Sequence, residues 1–548
     1  MCGVCQKLGL SLGHFDESLS GRGVVGYEPA ITDPHLSLDP FAGDTYRGKI
    51  IADRDRIIDQ IDSGRTIQAN SGVITYTFLD QNLIGLYNNP NFGFTAGEGL
   101  APFSEAQRTA ARDNIQLWDD LIPQSFRETK GLGADIQFSN STDPAQAYAY
   151  YPTKQGWKFQ SDVFIHNPET NGSNGWLDFG GYGQSTMIHE TGHALGLSHP
   201  GSYNFGPGFS VNYTNGAEYA QDSLQYSIMS YWSDRETGAL VTSWNVFLAG
   251  QPQTPMIHDI LTIQAKYGKD YTTRAGNTTY GFNSNAGNAV YDFTKNPYPM
   301  LAIWDGGGID TIDASGFTTS QFIDLHEGSF SSVGGAAPSL EKVNADRAEW
   351  NRDSFSEPGD PYYLAPITQA NYDALTVTRP GIIEGRIELA TGVADIVATE
   401  FKNVSIAYGV TIENATGGSA RDLLWGNQVA NTLKGMAGDD VLNGYEGADK
   451  LFGGAGNDTF QFSNLEKGDR IEDWNAGDKI DLTKLDANAG VAGDQAFAYI
   501  GNAGFTKTAG QLRYANGLLQ GDTNGDGIAD FAVVVTGAPG LTAADILL

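Results

Sequence analysis

The sequence contains almost no cysteine. Only two of its 548 residues are cysteines, Cys2 and Cys5, and both lie at the extreme N-terminus. A C-x-x-C pair can bind metal, cycle redox or close a small disulfide, but with no second pair a dispensable N-terminal feature is the simplest expectation. The rest of the chain cannot form a disulfide, so an extracellular form must obtain its stability from another source.

Basic residues and long apolar runs are also scarce. The chain has 33 Lys and Arg against 65 Asp and Glu, a formal charge of -32, so nucleic acid and anionic membrane surfaces are poor partners. Such an excess of carboxylate needs counter-ions, for which calcium is an obvious candidate. No stretch approaches the roughly 20 apolar residues of a membrane span, and residues 1–30 lack the regions of a Sec signal peptide. If the protein is exported, we expect it to leave by another route.

Histidine is rare as well, but three of the eight histidines lie close together in the segment HETGHALGLSHP that begins at His189. Residues four apart share one face of a helix, so His189 and His193 can offer two imidazoles to one ion. Gly196 lets the backbone turn sharply where the helix must stop, and the turn brings His199 round as a third ligand. Three protein ligands and a water are typical of a catalytic zinc site, so we predict one zinc ion here.

Two further features indicate a peptidase. Glu190 lies beside the predicted metal but outside the ligand row, where it can take a proton from zinc-bound water and pass it to a leaving amine. Downstream, Ser227–Trp232 reads SIMSYW, and a Met-containing turn after the longer zinc motif is the metzincin pattern. Met229 would form an apolar floor beneath the metal, and Tyr231 would reach the zinc. Taken alone, both could equally be ordinary buried residues.

The order of predicted elements favours an α+β catalytic domain. Residues 50–62 have helical spacing, and Ser104 caps a helix that runs to Trp118. The ligand helix is expected over roughly Gln184–Leu195, and a closing helix over Asp259–Tyr267 ends at Gly268. Strands are expected at Val73–Leu79, Ile136–Phe138, Gln146–Tyr151 and Val163–His166.

Beyond Gly268 the chain contains a repeat of nine residues. The units GGSARDLLW, GNQVANTLK, GMAGDDVLN, GYEGADKLF and GGAGNDTFQ run without a break over residues 417–461. Each opens with Gly, has Asp or Asn at the sixth place and Leu or Phe at the eighth. The period predicts a parallel β-roll, in which six residues form a calcium-binding turn and three form a strand whose eighth-place side chain points inward. The predicted calcium positions are Gly418, Asp422, Gly435, Asp440, Gly444, Asp449, Gly453 and Asp458.

A last acidic loop lies near the C-terminus. The segment DTNGDGIAD begins at Asp522 and resembles the first part of an EF-hand loop, with Gly527 at the tight bend. We expect calcium at Asp522, Asn524, Asp526 and Asp530; the alternative is an Asp- and Gly-rich hairpin turn.

With the zinc helix, the Met turn and the glycine-rich nonapeptides on one chain, the sequence resembles the serralysins, secreted bacterial metzincins that carry an RTX calcium-binding roll. The resemblance covers roughly residues 70–330 and 403–548. It implies zinc held by the three histidines, Tyr231 as a further ligand that swings away to stabilise the oxyanion, and Glu190 as general base. It also implies that Ala147, Tyr148 and Ala149 form the edge strand along which an extended peptide lies; the alternative is an ordinary sheet strand.

The same resemblance implies further calcium ligands and an export route. The terminal segment Asp545–Leu548 resembles the uncleaved signal read by type I (ABC) exporters, which implies secretion independent of the Sec route. Protein or peptide substrates and a monomer are implied as well, and a proteinaceous inhibitor stays open. The additional calcium ligands that the family pattern implies are Arg274, Gly276, Thr278, Asp305, Gly307, Gly308, Asp310, Thr411 and Glu413.

We therefore predict a multidomain fold with an α+β metzincin catalytic domain, an all-β parallel β-roll and a C-terminal β region. The predicted parts are a flexible, propeptide-like leader (1–45), the catalytic domain (46–268), the roll (269–475) and the C-terminal β region with the secretion signal (476–548). An insertion at 336–402 departs from the family pattern and is either a surface loop or small subdomain, or a substrate or partner site. Cys2 and Cys5 also depart from it, and a leader thiolate that caps the zinc is a further hypothesis.

These features predict a secreted, calcium-stabilised zinc endopeptidase of broad specificity. Two other classes stay open: a binding or surface-layer protein with an inactive peptidase domain, and a narrow processing peptidase that uses the insertion as an exosite. The intact Glu190, Tyr231 and three histidines argue against the first of these.

Overall fold

The computed structural model describes residues 35–548 except 70–71, 88–98, 143–146, 156–157, 204–211, 355, 361–362, 489 and 539. Cys2, Cys5 and Gln146 lie outside the described residues, so what is expected of them stays a prediction. No described helix is long and apolar enough to span a membrane.

The helices predicted in the catalytic region are confirmed, with small shifts at their ends. Ser104 caps one of them by accepting the Gln107 N–H at 3.2 Å, and Gln107 returns the bond in a capping box. Gly268 follows the last helix with φ 92°, a value that favours glycine. The described α-helices are Arg54–Ile61, Gln81–Tyr87, Glu105–Asp119, Tyr182–Ala194, Tyr213–Gly216, Ile257–Tyr267, Leu340–Asp353, Gln369–Asp373 and Arg379–Thr391. Single turns of other helix types are Asp39–Phe41, Gly172–Gly175, Asp234–Thr237, Ala289–Tyr291, Ala374–Thr378 and Ala543–Asp545.

A twisted sheet covers one side of the helix Tyr182–Ala194, which we call the ligand helix. Four strands are parallel, and the fifth, Ala147–Ala149, pairs antiparallel at the sheet's edge; we call it the edge strand. Side chains alternate between the two faces: Val163 packs in the same core as Ile188 of the ligand helix, whereas Phe164 packs in a separate cluster. The strands in spatial order are Ser125–Glu128, Val73–Phe78, Ile136–Ser141, Lys158–His166 and Ala147–Ala149. Short antiparallel pairs join Thr45–Tyr46 to Lys49–Ile50, Thr153–Gln155 to Lys158–His166, and Thr242–Ser243 to Leu248–Ala249.

The C-terminal part is built from two long, mostly parallel sheets and a small third one. One sheet contains, in spatial order, Thr279–Gly281, Thr311–Asp313, Asn414–Thr416, Thr432–Ala437, Lys450–Ala455, Lys467–Ile471, Phe531–Val535, Leu518–Asp522, Gln511–Ala515 and Ala498–Tyr499. The other contains Phe322–Asp324, Leu423–Asn427, Val441–Tyr445, Thr459–Gln461, Lys479–Asp481 and Ile546–Leu547. The third contains Leu301–Ile303, Val404–Ile406 and Phe330–Ser331.

The nonapeptide units form strands where the period predicts them. Each strand begins at the seventh place of its unit, and consecutive units alternate between the two long sheets. Residues two units apart therefore pair in parallel, as Leu424 does with Leu442 and Leu433 with Leu451. All five eighth-place side chains are completely buried in the main core. The prediction of inward eighth-place residues is confirmed. The predicted strand length of three residues is wrong for four of the five units, because those strands continue for two or three residues into the next unit.

The insertion forms a small helical subdomain that packs on both parts of the molecule. Ile383 and Ile387 of its last helix share a buried apolar cluster with Leu423 of the repeat region and Leu240 of the catalytic region. Three buried arginines reach the catalytic region as well: Arg347 and Arg386 donate to the carbonyls of Val246 and Gly238, and Arg379 to the Thr242 hydroxyl. Of the structural alternatives for this segment, the structure favours the subdomain.

The described end of the predicted leader is packed rather than flexible. The Leu38 N–H donates to the Tyr226 hydroxyl at 2.9 Å, and the Leu38 side chain is 1% exposed. Asp39 accepts hydrogen bonds from Gln221 and Tyr408. The expectation of a flexible leader up to residue 45 is therefore wrong for residues 35–45, because an apolar side chain and a carboxylate in this segment are held by the core.

Candidate metal centre

The ligand helix is buried over most of its surface, and a glycine determines how closely it approaches the chain beneath it. A Cβ atom on Gly192 would lie 2.7 Å from Met229 Sδ and 3.2 Å from the Trp118 ring. Only glycine allows this approach without displacement of the neighbours. Met229 is itself fully buried, so it lies beneath the ligand helix as the Met-turn motif predicts.

The three histidines of the motif converge. Nε2 of His199 lies 3.1 Å from Nε2 of His193 and 3.3 Å from Nε2 of His189. Ligand atoms of all three residues lie within 4.8 Å of one another. The three histidines that the sequence spacing predicts as ligands are therefore the ones that the fold brings together.

The hydrogen bonds on the far side of each ring determine which ring nitrogen carries the hydrogen. His189 Nδ1 lies 2.8 Å from the Ile228 carbonyl, His193 Nδ1 2.7 Å from that of Leu197, and His199 Nδ1 3.1 Å from that of Tyr203. A carbonyl only accepts, so each Nδ1 carries the hydrogen and each neutral ring turns an Nε2 lone pair toward the others. Burial lowers the pKa of His189 to about 4 and also lowers that of His193. Three converging lone pairs repel unless a cation lies among them, so the donor set fits zinc.

The turn after the ligand helix is held by a second glycine. Gly196 has φ 95°, and a Cβ atom there would lie 1.9 Å from the Arg65 carbonyl oxygen. The Gly196 carbonyl accepts the Ser63 N–H at 3.2 Å, and the Ser198 N–H donates to the Ile61 carbonyl at 2.6 Å. These bonds fasten the loop that carries His199 to the end of the helix Arg54–Ile61. The predicted role of Gly196 in the sharp turn is confirmed.

Glu190 is the buried carboxylate that follows His189 in the ligand helix. Its side chain is 4% exposed, and Oε2 has no hydrogen-bond partner in the described part of the chain. Burial raises the pKa of Glu190 to about 8. A buried, unpartnered carboxyl group next to a candidate metal site has the properties of a general base.

Aromatic rings surround the third histidine. The Tyr231 ring centroid lies 4.3 Å from that of His199 and 6.1 Å from that of His189. Tyr203 lies nearly parallel to His199 at 5.6 Å, and Tyr151 meets His193 edge to face at 5.7 Å. The Met turn thus brings Tyr231 next to the histidine cluster, as the motif predicts.

The edge strand runs beside this site and is paired on one side only among the described strands. The Tyr150 N–H donates to the Asp162 carbonyl at 3.0 Å, so by the alternation of an antiparallel pair Tyr148 also bonds inward. The backbone groups of Ala147 and Ala149 consequently point away from the sheet. Ala147 and Ala149 are only 5% and 2% exposed, so peptide pairing along this edge stays a prediction.

Two buried aspartates that the motifs did not indicate hold the Met turn. Asp259 accepts the Ser227 hydroxyl at 2.6 Å and the Ile228 N–H at 2.7 Å. Asp222 accepts the hydroxyls of Tyr203 and Ser230 at 2.8 and 2.7 Å. Neither aspartate falls in a motif with metal-ligand spacing, so no pattern in the sequence indicates their roles.

The upstream positions that the family resemblance assigns to calcium largely meet in one place. The Thr278 N–H donates to Asp310 Oδ1 at 2.7 Å, and the Asp310 N–H donates to Glu413 at 2.7 Å. Burial and the nearby carboxylates of Asp305 and Glu413 raise the pKa of Asp310 to about 7, and Asp310 Oδ2 has no partner within the described chain. This oxygen-rich cluster fits a hard cation.

Other predicted positions lie around that cluster. The Thr278 hydroxyl donates to the carbonyls of Gly276 and Arg274. A Cβ atom on Gly308 would lie 2.5 Å from the Gly276 carbonyl oxygen. Gly307 donates its N–H to Asp305 at 2.7 Å. Thr411 is half-buried two residues before Glu413.

The sixth-place aspartates of the repeat are stacked along the two sheets. Oδ1 of Asp440 accepts the Asp422 N–H at 2.8 Å, whereas Oδ2 of Asp440 is buried without a hydrogen-bond partner among the described residues. A Cβ atom on Gly435 would lie 2.2 Å from that Oδ2 and 2.6 Å from the Gly453 carbonyl oxygen. Oδ2 of Asp449 and of Asp458 is buried in the same way, next to Gly444 and Gly453. Gly418 donates its N–H to Asp422. Buried anionic oxygens beside carbonyl oxygens fit calcium.

The acidic loop at residues 522–530 is a hairpin turn. It joins the antiparallel strands Leu518–Asp522 and Phe531–Val535. Both carboxylate oxygens of Asp522 accept loop N–H groups, from Gly525 at 2.7 Å and Gly527 at 2.9 Å. Asn524 and Asp526 likewise accept backbone N–H groups two residues on, and Asp530 accepts from Thr523. Calcium binding in this loop stays a prediction.

Comparisons with known proteins agree with these features. A family profile described as Peptidase M10 serralysin C terminal matches residues 269–343 and 383–548, and leaves residues between them, inside the insertion, unmatched. Metallopeptidase AprA from Pseudomonas marginalis is 37% identical over 478 residues, which cover 85% of this chain and 84% of that protein. Serralysin from Photorhabdus luminescens is 36% identical over 451 residues, 80% of this chain and 76% of that protein. Serralysin C from Dickeya chrysanthemi is 37% identical over 377 residues, 66% and 60% of the respective chains.

Proposed function

The chain belongs to the serralysin family and is a zinc metalloendopeptidase, and we propose that it is a secreted enzyme of broad specificity in which Glu190 is the general base. The observation that carries this proposal is the convergence of three Nε2 atoms beside a buried carboxylate that has an oxygen without a partner in the described chain. His189, His193 and His199 would hold the zinc, with Tyr231 as a further ligand. Bound zinc would supply Lewis acidity, which polarises a carbonyl and lowers the pKa of water.

The side chains around the site have separate roles in this mechanism. Glu190 takes a proton from the attacking water and later delivers it to the leaving amine, which balances the proton over one turnover. Tyr231, next to His199, donates its hydroxyl to the oxyanion that forms at the scissile carbonyl. Met229 fixes the floor under the ligand helix.

Substrate binding is proposed along the edge strand. Ala147 and Ala149 would pair through their outward backbone groups with an extended peptide, and Tyr148 would lie between them with its backbone bonded inward. Main-chain pairing is independent of side-chain identity, so it agrees with protein substrates of varied sequence.

Calcium is proposed to stabilise the repeat region as a parallel β-roll, in a chain whose catalytic domain is of the metzincin type. The support is the set of buried, unpartnered carboxylate oxygens at Asp440, Asp449 and Asp458 among the described residues, and at Asp310 in the upstream cluster. Several calcium ions would neutralise these groups. The domain boundaries predicted from the sequence are proposed unchanged, with residues 35–45 packed on the catalytic core.

Export by a type I (ABC) apparatus is proposed from the terminal segment. Asp545 lies in a short helical turn, and Ile546–Leu547 pairs in parallel with Lys479–Asp481 at the end of a long sheet. In the folded protein this segment is therefore part of the sheet, so an exporter would have to read it before the chain folds. A monomeric state and a proteinaceous inhibitor are proposed from the family resemblance.

The test is casein hydrolysis by the wild type and by Glu190→Gln in millimolar calcium, each with and without a zinc chelator. We expect the substitution to lower kcat at least about a hundredfold, because general base catalysis contributes 10²–10⁴-fold, while one zinc per chain is retained. Glu388→Gln, which changes an exposed carboxyl on the insertion, should match the wild type. A folded, zinc-loaded wild type that is inert on casein would contradict general proteolysis.

A selective processing peptidase is the second candidate. The insertion and the catalytic region enclose a cleft of about 570 Å³ whose lining includes Trp176, Trp350, Asp178 and Glu349. If this cleft selects a substrate, Trp350→Ala should impair cleavage of that substrate and leave casein hydrolysis unchanged.

A further inference from the structure

Asp222 lies where two segments of the metal centre meet. Its side chain is completely buried. Oδ1 accepts the Tyr203 hydroxyl at 2.8 Å and the Ser230 hydroxyl at 2.7 Å, and Oδ2 accepts the Trp232 Nε1–H at 3.0 Å. One donor comes from the segment that follows His199, and the other two come from residues on either side of Tyr231.

Each of these donors is connected to a group of the metal centre. The Tyr203 carbonyl accepts His199 Nδ1–H at 3.1 Å, and the Tyr203 ring lies nearly parallel to the His199 ring. Ser230 and Trp232 are the chain neighbours of Tyr231, whose ring lies 5.1 Å from that of Tyr203. The Ser230 hydroxyl also accepts the Trp232 N–H at 3.1 Å, which closes the turn around Tyr231.

A buried carboxylate is well suited to this position. It offers two oxygens that only accept, and hydrogen bonds to a charged acceptor are shorter and stronger than neutral ones. Removal of one of its donors leaves a desolvated carboxylate oxygen with fewer partners, which is costly. The arrangement therefore resists displacement of either segment relative to the other.

We propose that Asp222 is a positioning residue of the metal centre, which fixes His199 and Tyr231 relative to each other through Tyr203, Ser230 and Trp232. The inference rests on the proposed function, in which these two residues contact the zinc. Outer partners of metal ligands typically change metal affinity or activity 10–100-fold when they are removed. Asp222 contacts neither His199 nor Tyr231 directly. It holds Tyr203, whose carbonyl accepts the His199 Nδ1–H, and it holds Ser230 and Trp232 on either side of Tyr231.

The test compares Asp222→Asn with Asp162→Asn. Asp162 is a buried carboxylate of the same domain that also accepts a tyrosine hydroxyl, from Tyr87 at 2.8 Å, and a side-chain amide, from Gln137 at 3.1 Å. By strand alternation its side chain lies on the face of the sheet with Phe164, opposite the ligand helix. Both variants replace a buried carboxyl group by an amide, but only one of the two aspartates is connected to His199 and Tyr231.

Three readouts separate positioning from general stability. Zinc affinity is measured by competition with a chromophoric chelator, the ligand geometry by the visible absorption of the cobalt-substituted protein, and kcat and KM on a peptide substrate. We expect Asp222→Asn to lower zinc affinity and kcat about tenfold or more, to shift the cobalt spectrum, and to leave KM within about threefold. Asp162→Asn should lower the unfolding midpoint but leave zinc affinity and the cobalt spectrum unchanged.

Equal zinc affinity, cobalt spectrum and kcat in the two variants would overturn the proposal. If Asp222→Asn does not fold, Tyr203→Phe decides, since it removes one donor and keeps the ring and the carbonyl that accepts His199. An unchanged cobalt spectrum and zinc affinity in that variant would also overturn it. If the wild type binds zinc but cleaves nothing, the proposed function fails, while the zinc and cobalt readouts still decide the role of Asp222.

Discussion

Glycine shapes the metal centre at the scale of single residues. Gly192 lets the ligand helix rest on Met229 and Trp118, and Gly196 turns the chain toward His199 against the Arg65 carbonyl. Both positions are part of the motif that the sequence displays. Both glycines of the motif are therefore required by packing, just as the histidines are required as ligands.

Gly196→Ala is expected to destabilise the protein by more than the strain of a positive φ, because the added Cβ also clashes with the chain beneath it. Gly43 offers a matched control, because it has φ 96° and no heavy atom within 4 Å of an added Cβ, whereas the Cβ on Gly196 would lie 1.9 Å from Arg65 O. Gly43→Ala should cost only the strain of a positive φ, about 1–3 kcal/mol. Gly196→Ala should lose more stability and also lower zinc affinity at least about tenfold, because the His199 loop must shift. Chemical unfolding and chelator competition measure both effects; equal stability losses with unchanged zinc binding would contradict this account.

The residues that meet through sequence spacing could be predicted, and those that meet only through tertiary contact could not. The three histidines, Glu190 and Tyr231 lie in two short motifs whose local geometry determines where they point. Asp222 and Asp259 are single aspartates, and what they bind depends on how distant segments pack. A single sequence contains no pattern that distinguishes them from surface aspartates.

At the scale of elements, the edge strand gives the peptide-binding proposal a direct test. Ala149→Pro removes the Ala149 N–H, which points away from the sheet and makes no hydrogen bond to the neighbouring strand. We expect KM to rise severalfold with little change in kcat, because one main-chain hydrogen bond to the substrate is lost. Ala149→Gly keeps the N–H and serves as the control, with KM near that of the wild type. If both variants have the same KM, the peptide does not pair at this residue.

The stacked aspartates of the repeat give a prediction on pH. Burial, together with neighbouring carboxylates, raises the pKa of Asp422 and Asp449 to about 8 and that of Asp440 to about 7. An unfolded aspartate has a pKa near 3.9, so without calcium the folded chain binds more protons than the unfolded one. Stability is then greatest at low pH and falls as pH rises from about 4 to about 8.

In a calcium chelator, the unfolding midpoint of the repeat region should therefore be lower at pH 8 than at pH 5.5. Millimolar calcium should abolish this difference, because the ion replaces the protons as the neutralising charge. Magnesium at the same concentration is the control and should restore less. A calcium-free midpoint that rises with pH would contradict the proposed role of these carboxylates.

At the scale of the whole molecule, the insertion was the least predictable part. Its helix Leu340–Asp353 buries only Val343 and Arg347. Its helix Arg379–Thr391 begins with Arg-Pro-Gly and buries two arginines, Arg379 and Arg386, beside Ile383 and Ile387. Arginine on the inward face weakens the apolar periodicity that indicates a helix in a sequence. The repeat region is the opposite case, because its nine-residue period alone predicts where the strands begin and which side chains point inward. Deletion of the insertion would expose the carbonyls that its arginines bind, so point substitutions test its role more cleanly.

Arg347 and Arg352 provide such a test on one helix. Arg347 is 5% exposed and donates to the carbonyls of Ala365 and Val246, one inside the insertion and one in the catalytic region. Arg352 has a side chain 67% exposed and bonds only surface carboxylates among its described contacts. Arg347→Met should lower the free energy of unfolding by about 2 kcal/mol, because two buried acceptors lose their donor, whereas Arg352→Met should change it by less than about 0.5 kcal/mol. Urea unfolding in millimolar calcium measures both.

Casein hydrolysis at low temperature should be the same in the two variants, since neither arginine contacts the metal centre. On heating, activity should fall first in Arg347→Met. Equal stability of the two variants would mean that the insertion does not hold the catalytic region through this arginine.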